Sequence, residues 1–225
     1  REGGNRSYCA SGTLVPLNET AVSAKDVEDS ETLNAIYALA ATVDAKDHYT
    51  HSHWKKVKDY AVTLAKALNL ETAEIVKLET CALLHDIGKI GISEKILNKP
   101  GKLTAEEWEV VKSHPQVGVN IVSHASQLAC CLPVILYHHE RYDGQGYPKG
   151  LRGEEIPLEA RVLALADAFA AMTSERTYSN ALSFEEALEE IKQGAGKQFD
   201  PQLAEVFCSA LTTTPITSIE EKARR

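Results

Sequence analysis

A histidine and an aspartate stand side by side at the end of an apolar run, and this pair constrains the fold more than any other feature of the chain. Residues 81–84 read Cys-Ala-Leu-Leu, His85 and Asp86 follow, and Ile87, Gly88 and Lys89 come directly after them. Burying an imidazole and a carboxylate without partners is costly. A metal cation satisfies several such groups together, so the pair predicts a metal site beside an apolar core.

Composition limits the partners of this chain. Its 225 residues are 44% hydrophobic and 25% charged, which is typical of a globular protein with a sizeable core. The net charge of −8 disfavours a nucleic-acid polymer or an anionic membrane, because both bind basic surfaces. The sequence contains neither an apolar run approaching the roughly 18 residues of a membrane span nor a signal sequence at its start. We therefore expect a cytoplasmic segment without membrane contact.

The spacing of apolar residues predicts an all-α fold. Helical periodicity begins near Asp29, and a second amphipathic helix ends near Asn69. A third helix is predicted from Thr72 into the His-Asp motif. Strand-like alternation is not evident anywhere in the sequence.

Capping and turn signals divide the second half of the chain. Thr104 and Glu107 have the spacing of a capping box, which predicts a helix to about His114. Pro115 either breaks that helix or begins the next one. The Gly-rich segment 143–157 is expected to be a functional loop, because long loops are uncommon inside compact domains. Further helices are predicted at residues 128–138 and 158–172, after the cap at Ser183, and after Asp200-Pro201.

Several metal-ligand side chains lie in or beside the apolar helical stretches: His53, His85, Asp86, His114, His138, His139 and Asp167. They outnumber the ligands of one ion, and a set without thiolates suits first-row metals such as iron or manganese, with zinc as an alternative. Asp86 can bridge two ions, and a paired-metal site holds a bridging hydroxide that attacks phosphorus in line. The predicted reaction is phosphoester hydrolysis. If the helix continues through the motif, Lys89 lies one turn beyond His85 and reaches a phosphate oxygen.

Each of these residues also has a structural interpretation. Taken singly, His53, His114 and Asp167 are more often satisfied core groups than ligands. Lys89 alone is as often a solvated charge, and His138-His139 can be an exposed helix end. Only the joint pattern favours a site. The histidines with polar neighbours are expected to be solvated: His48, His51 and His124.

Two segments of the chain combine ligand-type residues with glycines. Residues 85–89 read His-Asp-Ile-Gly-Lys, and residues 138–148 read His-His-Glu-Arg-Tyr-Asp-Gly-Gln-Gly-Tyr-Pro. Both segments resemble the HD-GYP family of cyclic di-GMP phosphodiesterases. The similarity extends through 96–104 and 194–201 and covers about residues 30–211. It implies an HD-domain helical bundle with a Gly-rich GYP loop, in a domain that we place at 25–211.

The flanking segments carry less information. Residues 1–24 are expected to be a linker or the tail of a preceding domain, and residues 1–6 resemble the end of a GGDEF domain. Residues 212–225 are expected to be a C-terminal tail. A GGDEF or sensor domain in the same parent chain, and a homodimer, are the expected partners besides a cyclic dinucleotide.

The resemblance also implies a role for each site residue. One metal is expected on His53, His85, Asp86 and Asp167, and the other on Asp86, His114, His138 and His139. Lys89 is implied to stabilise the attacked phosphate and Arg176 to grip the substrate, while Tyr147 lies in the loop for substrate access or domain contacts. Tyr49 stands where some members have a glutamate for a third metal, so two ions are expected. The implied product is pGpG, with GMP as a further product.

Three departures from the family pattern leave other functions open. Ala170 replaces a second aspartate, Trp54 replaces a common serine, and residues 176–180 replace an Arg-Pro-Tyr segment with following basic residues. A degenerate module that binds cyclic di-GMP or a partner domain without turnover is therefore the alternative. A phosphohydrolase for other nucleotides is a third possibility.

Overall fold

The fold is an assembly of α-helices joined by short turns. The computed structural model describes residues 36–43, 45–46, 53–174 and 181–213. The helices are α1 (residues 36–43), α2 (His53–Ala67), α3 (Thr72–Leu84), α4 (Glu94–Leu97), α5 (Ala105–Lys112), α6 (His114–Val122), α7 (Leu132–Tyr137), α8 (Leu158–Met172), α9 (Phe184–Gly194) and α10 (Pro201–Thr213). Short 3₁₀ turns lie at Ile87–Gly91, Ser126–Cys131 and Gly153–Glu155. Across the described ranges no strand forms, so the all-α prediction is confirmed.

The core forms where α2 packs against α3, α8 and α10. Three buried aromatic rings pack together at this junction. The ring centroids of Tyr60 and Phe169 are 4.9 Å apart and those of Phe169 and Phe207 are 5.3 Å apart, and both pairs pack edge to face. Buried aromatic pairs of this geometry combine large apolar area with a defined orientation. The junction therefore fixes how α2 lies on α8, and with it the position of His53 relative to Asp167.

Three predicted helix starts are present as expected. Thr104 and Ser183 each form a reciprocal capping box with the glutamate three residues later, at the starts of α5 and α9. Asp200 accepts the backbone N–H of Leu203 and Gln202, so α10 begins at Pro201. These local signals need no tertiary contact to be recognised, which is why the sequence located them.

Two helix boundaries differ from prediction, and the structure decides a third that the sequence left open. The third helix ends at Leu84, and the tighter 3₁₀ turn Ile87–Gly91 carries the rest of the motif. Pro115 lies in the first turn of α6, so the alternative in which it begins the next helix is confirmed. The helix predicted from Leu128 begins only at α7, after a 3₁₀ turn. A proline in the first turn of both α6 and α7 explains these starts, because it has no N–H to donate to a preceding turn.

Among the described helices, none combines the length and apolar character that crossing a bilayer requires.

The predicted flanking segments lie almost wholly outside the described residues. Residues 1–24 and 214–225 are not described, whereas Thr212 and Thr213, which the prediction assigned to the C-terminal tail, are the last residues of α10.

Candidate metal centre

A glycine lets the His-Asp turn approach α6 closely. A Cβ atom at Gly88 would overlap the carbonyl oxygen of His114 and lie 2.6 Å from the backbone nitrogen of Gly118. Only a residue without a side chain fits this contact. The approach places Asp86, at the start of the turn, against the first residue of α6: Asp86 Oδ1 is 3.3 Å from His114 Nε2.

Asp86 belongs to two groups of metal-ligand atoms. In each group the ligand atoms lie within 4.8 Å of one another. The first group is His53, His85 and Asp86, and the second is Asp86, His114, His138 and His139. The carboxylate shared between them would serve as a bridging ligand if each group held a cation.

Helix α8 adds a second carboxylate to the first group. Asp167 Oδ1 lies 3.0 Å from His53 Nε2 and 3.9 Å from His85 Nε2. The structure therefore brings all the predicted ligand residues into one cluster, although they come from α2, the end of α3, α6, the end of α7 and α8.

The hydrogen bonds of three histidines fix which ring nitrogen faces the cluster. The Nδ1 atoms of His85, His114 and His138 lie 2.8, 2.8 and 2.7 Å from the carbonyl oxygen three residues earlier. A carbonyl can only accept, so each Nδ1 carries the proton and donates. The Nε2 atom of a neutral ring then presents its lone pair, which is the orientation of metal-ligating histidine.

Two of these lone pairs face each other. His114 Nε2 is 3.4 Å from His138 Nε2. Burial lowers the pKa of both imidazoles, that of His138 well below its usual range with further lowering from His139 and His85, so both rings are neutral at neutral pH. No proton is then available between the nitrogens, and a cation satisfies both. This donor set therefore fits a metal ion.

The first group fits a cation for an electrostatic reason. Burial lowers the pKa of His85, but the Asp86 and Asp167 carboxylates outweigh it and raise that pKa to about 9. Within the described part of the chain, His85 Nε2 is buried with no hydrogen bond of good geometry, and Asp86 Oδ2 lies 3.4 Å away. The two carboxylates thus stabilise the positive charge of protonated His85. A divalent cation in the same place would be attracted more strongly, because it carries twice that charge.

Both carboxylates are ionised at neutral pH. Burial raises the pKa of Asp86, but Lys89 and His85 outweigh burial and hold it well below the usual range. Burial likewise opposes ionisation of Asp167, and His53 and His85 reverse the effect. Lys89 Nζ lies 2.8 Å from Asp86 Oδ2. The 3₁₀ turn, rather than a continued helix, therefore delivers Lys89 to the site.

The segment that follows α7 folds back over the second ligand group. The backbone N–H of Tyr147 donates to His139 O at 3.2 Å, and the Tyr147 ring stacks on the His139 ring with centroids 4.9 Å apart. A Cβ at Gly146 would overlap the backbone of Arg141 and Glu140, so glycine is needed where the chain doubles back. Burial raises the pKa of Tyr147, with Asp86 and Asp167 adding to the effect. Tyr147 is therefore placed beside the charged cluster.

Glu140 is a structural residue of this region that the sequence analysis missed. Its buried carboxylate accepts the consecutive backbone N–H groups of residues 149–151 at 2.7, 3.1 and 3.1 Å. A buried carboxylate needs such donors. The sequence offered one signal for this role, since Glu140 is an acidic residue that directly follows the candidate ligands His138 and His139. Glu140 holds the segment that carries Tyr147 onto His139.

We expect Glu140→Gln to loosen this segment. The amide keeps one acceptor oxygen but turns an N–H₂ toward backbone donors, which costs about 1–3 kcal/mol locally. Hydrogen exchange of the amides at 149–151 should quicken by roughly tenfold or more. Glu154→Gln, an exposed change in the same segment, is the matched control and should leave exchange unaltered. Equal exchange rates in both variants would contradict the anchoring role.

The departures from the family pattern fall in different environments. Ala170 is fully buried in the apolar core, one turn after Asp167, so no unsatisfied acid is left there. Trp54 packs against Tyr37 with ring centroids 5.5 Å apart. His124 is exposed, as predicted. The remaining predicted residues lie outside the described ranges: Arg176, residues 177–180, Tyr49, His48 and His51.

Two curated proteins are similar to this chain over most of its length. A cyclic di-GMP phosphodiesterase of Thermotoga maritima is 41% identical over 164 residues, which are 72% of this chain and 45% of that protein. A cyclic di-GMP phosphodiesterase of Vibrio cholerae is 38% identical over 219 residues, which are 91% of this chain and 44% of that protein. The chain spans about half the length of these curated relatives.

A solved structure shows the same fold. The crystal structure of a cyclic GMP-AMP specific phosphodiesterase of V. cholerae matches with a TM-score of 0.64 and 23% identity, covering 85% of this chain and 52% of that one. The family model described as HD domain matches residues 34–203. With most of the chain matched and the His-Asp pair at the centre of the cluster, this chain belongs to the HD domain family.

Proposed function

We propose that this chain is a metal-dependent phosphodiesterase that hydrolyses cyclic di-GMP to linear pGpG. The main support for this proposal is that two groups of ligand atoms share the carboxylate of Asp86. Two-metal sites of this kind serve in-line displacement at phosphorus. The substrate class rests on the names of the relatives at 38–41% identity.

The ligand chemistry selects the metals. Imidazole and carboxylate donors without thiolate suit iron or manganese, so we propose two such divalent ions. His53, His85, Asp86 and Asp167 would hold one, and Asp86, His114, His138 and His139 the other. When bound, such ions supply an activated water nucleophile and neutralise charge on the phosphate.

The protein's own side chains complete the chemistry. Lys89 Nζ lies 2.8 Å from Asp86 Oδ2, so it would supply a positive charge to an oxygen of a phosphate held at the cluster. Tyr147 covers His139, so it limits water at that side of the site. Arg176 stays a predicted substrate ligand. The backbone-bonded Nδ1 atoms turn Nε2 of three imidazoles toward the cluster. His114 and His138 are already neutral, whereas His85 releases the proton on Nε2 when a cation takes its place.

Turnover is better supported than the degenerate binding module. Each predicted ligand position carries a histidine or an aspartate. Ala170 packs in the apolar core, so its replacement of an aspartate removes no member of the ligand cluster. Relatives over most of the chain are named phosphodiesterases. GMP as a second product, a homodimer and a GGDEF or sensor domain in the parent chain stay predictions.

The test is anaerobic purification, metal analysis and a turnover assay. Protein loaded with iron or manganese should convert cyclic di-GMP to pGpG. Chromatography of the products then tests whether GMP is formed as well. Cyclic GMP-AMP and linear nucleotides form the comparison panel. Binding of cyclic di-GMP without product after long incubation would establish the degenerate module instead, and preference for other nucleotides would establish the third possibility.

We expect Lys89→Gln to lower kcat by about 10²-fold, because it removes a cation that stabilises the developing charge on the phosphate. Metal content should not fall, since Lys89 is not among the ligand groups. Lys95→Gln, an exposed change on α4, is the control for net charge. A Lys89→Gln enzyme with normal kcat would exclude this role, and a loss of metal would reassign Lys89 to supporting Asp86.

A further inference from the structure

Trp108 is a large aromatic side chain on α5 that the metal centre does not use. Its side chain is 46% exposed. Scattered exposed apolar residues are common, so exposure by itself implies nothing. The position of this residue relative to the site is what distinguishes it.

A series of rings leads from the ligand cluster to Trp108. Tyr147 stacks on His139 with centroids 4.9 Å apart and an interplanar angle of 27°. The Trp108 ring lies 6.2 Å from the Tyr147 ring at 80°. Tyr147 therefore contacts both the His139 ring and the indole, so the half-exposed Trp108 lies one aromatic residue away from the ligand cluster.

The contact with Tyr147 leaves indole surface available. In an edge-to-face pair, at most one face of the indole is engaged, whichever ring supplies the edge. The exposed fraction of 46% agrees with a second face that remains open to solvent. A flat ligand can therefore lie on Trp108 without moving Tyr147.

The charges beside the indole are already paired. Glu107 and Glu109 precede and follow Trp108 in α5, and they form ion pairs with Lys99 and Lys112. The indole itself offers no charge to a phosphate, whereas a purine base stacks on an aromatic ring without a counter-charge. The cation at the cluster is instead Lys89, beside Asp86.

We propose that Trp108 is a base-stacking subsite, on which one purine of the cyclic dinucleotide lies while the reacting phosphate is at Asp86 and Lys89. This inference rests on the proposed function. In a cyclic dinucleotide the bases project outward from the phosphate-sugar ring, so one base reaches the rim while a phosphate occupies the centre. Every purine has a stacking face, so Trp108 contributes affinity without choosing between guanine and adenine.

The test compares ligands with and without a base. Trp108→Ala should raise KM for cyclic di-GMP about 10- to 100-fold, the range expected for one lost stack. The inhibition constant of inorganic phosphate, which has no ring to stack, should stay within about twofold. Trp108→Phe should restore most of the affinity. Val110→Ala, an exposed apolar change on the same helix, is the matched control and should alter the binding of neither ligand.

Binding measured separately distinguishes this inference from the proposed function. Calorimetry with cyclic di-GMP and with pGpG should show the same weakening in Trp108→Ala and none in Val110→Ala. If the wild-type protein binds but does not cleave, the proposed function fails while the binding comparison still decides the subsite. Equal affinities of wild type and Trp108→Ala for cyclic di-GMP, or equal losses for cyclic di-GMP and inorganic phosphate, would overturn the subsite. A wild type that does not bind cyclic di-GMP would overturn both.

Discussion

Asp86→Asn is expected to reduce both metal content and phosphodiesterase turnover, the latter by about 10³-fold or more. The carboxylate is shared by the two ligand groups, so its loss weakens both sites at once, whereas other ligands belong to one. Bridging charge and in-line geometry are together worth several kcal/mol of transition-state stabilisation. Asparagine keeps the size of the side chain, so the change isolates the charge. Metal analysis and the cyclic di-GMP assay are the two measurements.

The control for this variant is Glu109→Gln. Glu109 is an exposed carboxylate on α5 whose removal alters net charge by the same amount. It should keep full metal content and activity. Asp86→Asn protein with an unchanged helical circular dichroism signal, full metal content and normal turnover would show that Asp86 does not join the two groups.

Gly88→Ala should destabilise the fold and also disturb the metal centre. The added Cβ would collide with backbone atoms of His114 and Gly118, which cannot rotate away. Overpacking of a rigid contact costs about 3 kcal/mol or more. The 3₁₀ turn must then move off α6, which separates Asp86 from His114. Urea unfolding should report the loss of stability, and metal analysis the loss at the second ligand group.

Gly91→Ala provides the matched comparison within the same turn. Its nearest obstacle is the Val117 side chain, with Cγ1 at 3.3 Å, which can adjust. We expect a change of less than about 1 kcal/mol. Similar unfolding free energies for the Gly88→Ala and Gly91→Ala proteins would contradict the assigned backbone contact.

The sequence predicted elements with local signals better than it predicted their contacts. The α8 limits, Leu158 and Met172, match the prediction because an apolar run follows Pro157 directly. The sequence did not predict the 3₁₀ turn that follows the end of α3 at Leu84. The close packing that requires Gly88 exists only once α6 is in place. Helix periodicity carries no information on such tertiary contacts.

The sequence predicted which residues form the candidate site, but not how these residues are arranged in space. Ligand-type residues in apolar surroundings could be identified one by one, because burying them is costly. Their division into two groups came from family resemblance, since His53 and Asp167 are far apart in the chain and no spacing rule relates them. The anchoring role of Glu140 depends on three N–H groups of a loop whose path the sequence does not specify.

The distance along the chain between His53 and Asp167 has a consequence for folding. The two residues are 114 positions apart yet lie 3.0 Å from each other through Nε2 and Oδ1. A cation held by both would act as a cross-link that closes most of the helical bundle. Because a dispersed ligand set exists only in the folded chain, binding free energy adds to folding free energy. The folded fraction of this protein should therefore follow the free concentration of its metal, and a chelator should lower the melting temperature of the whole bundle.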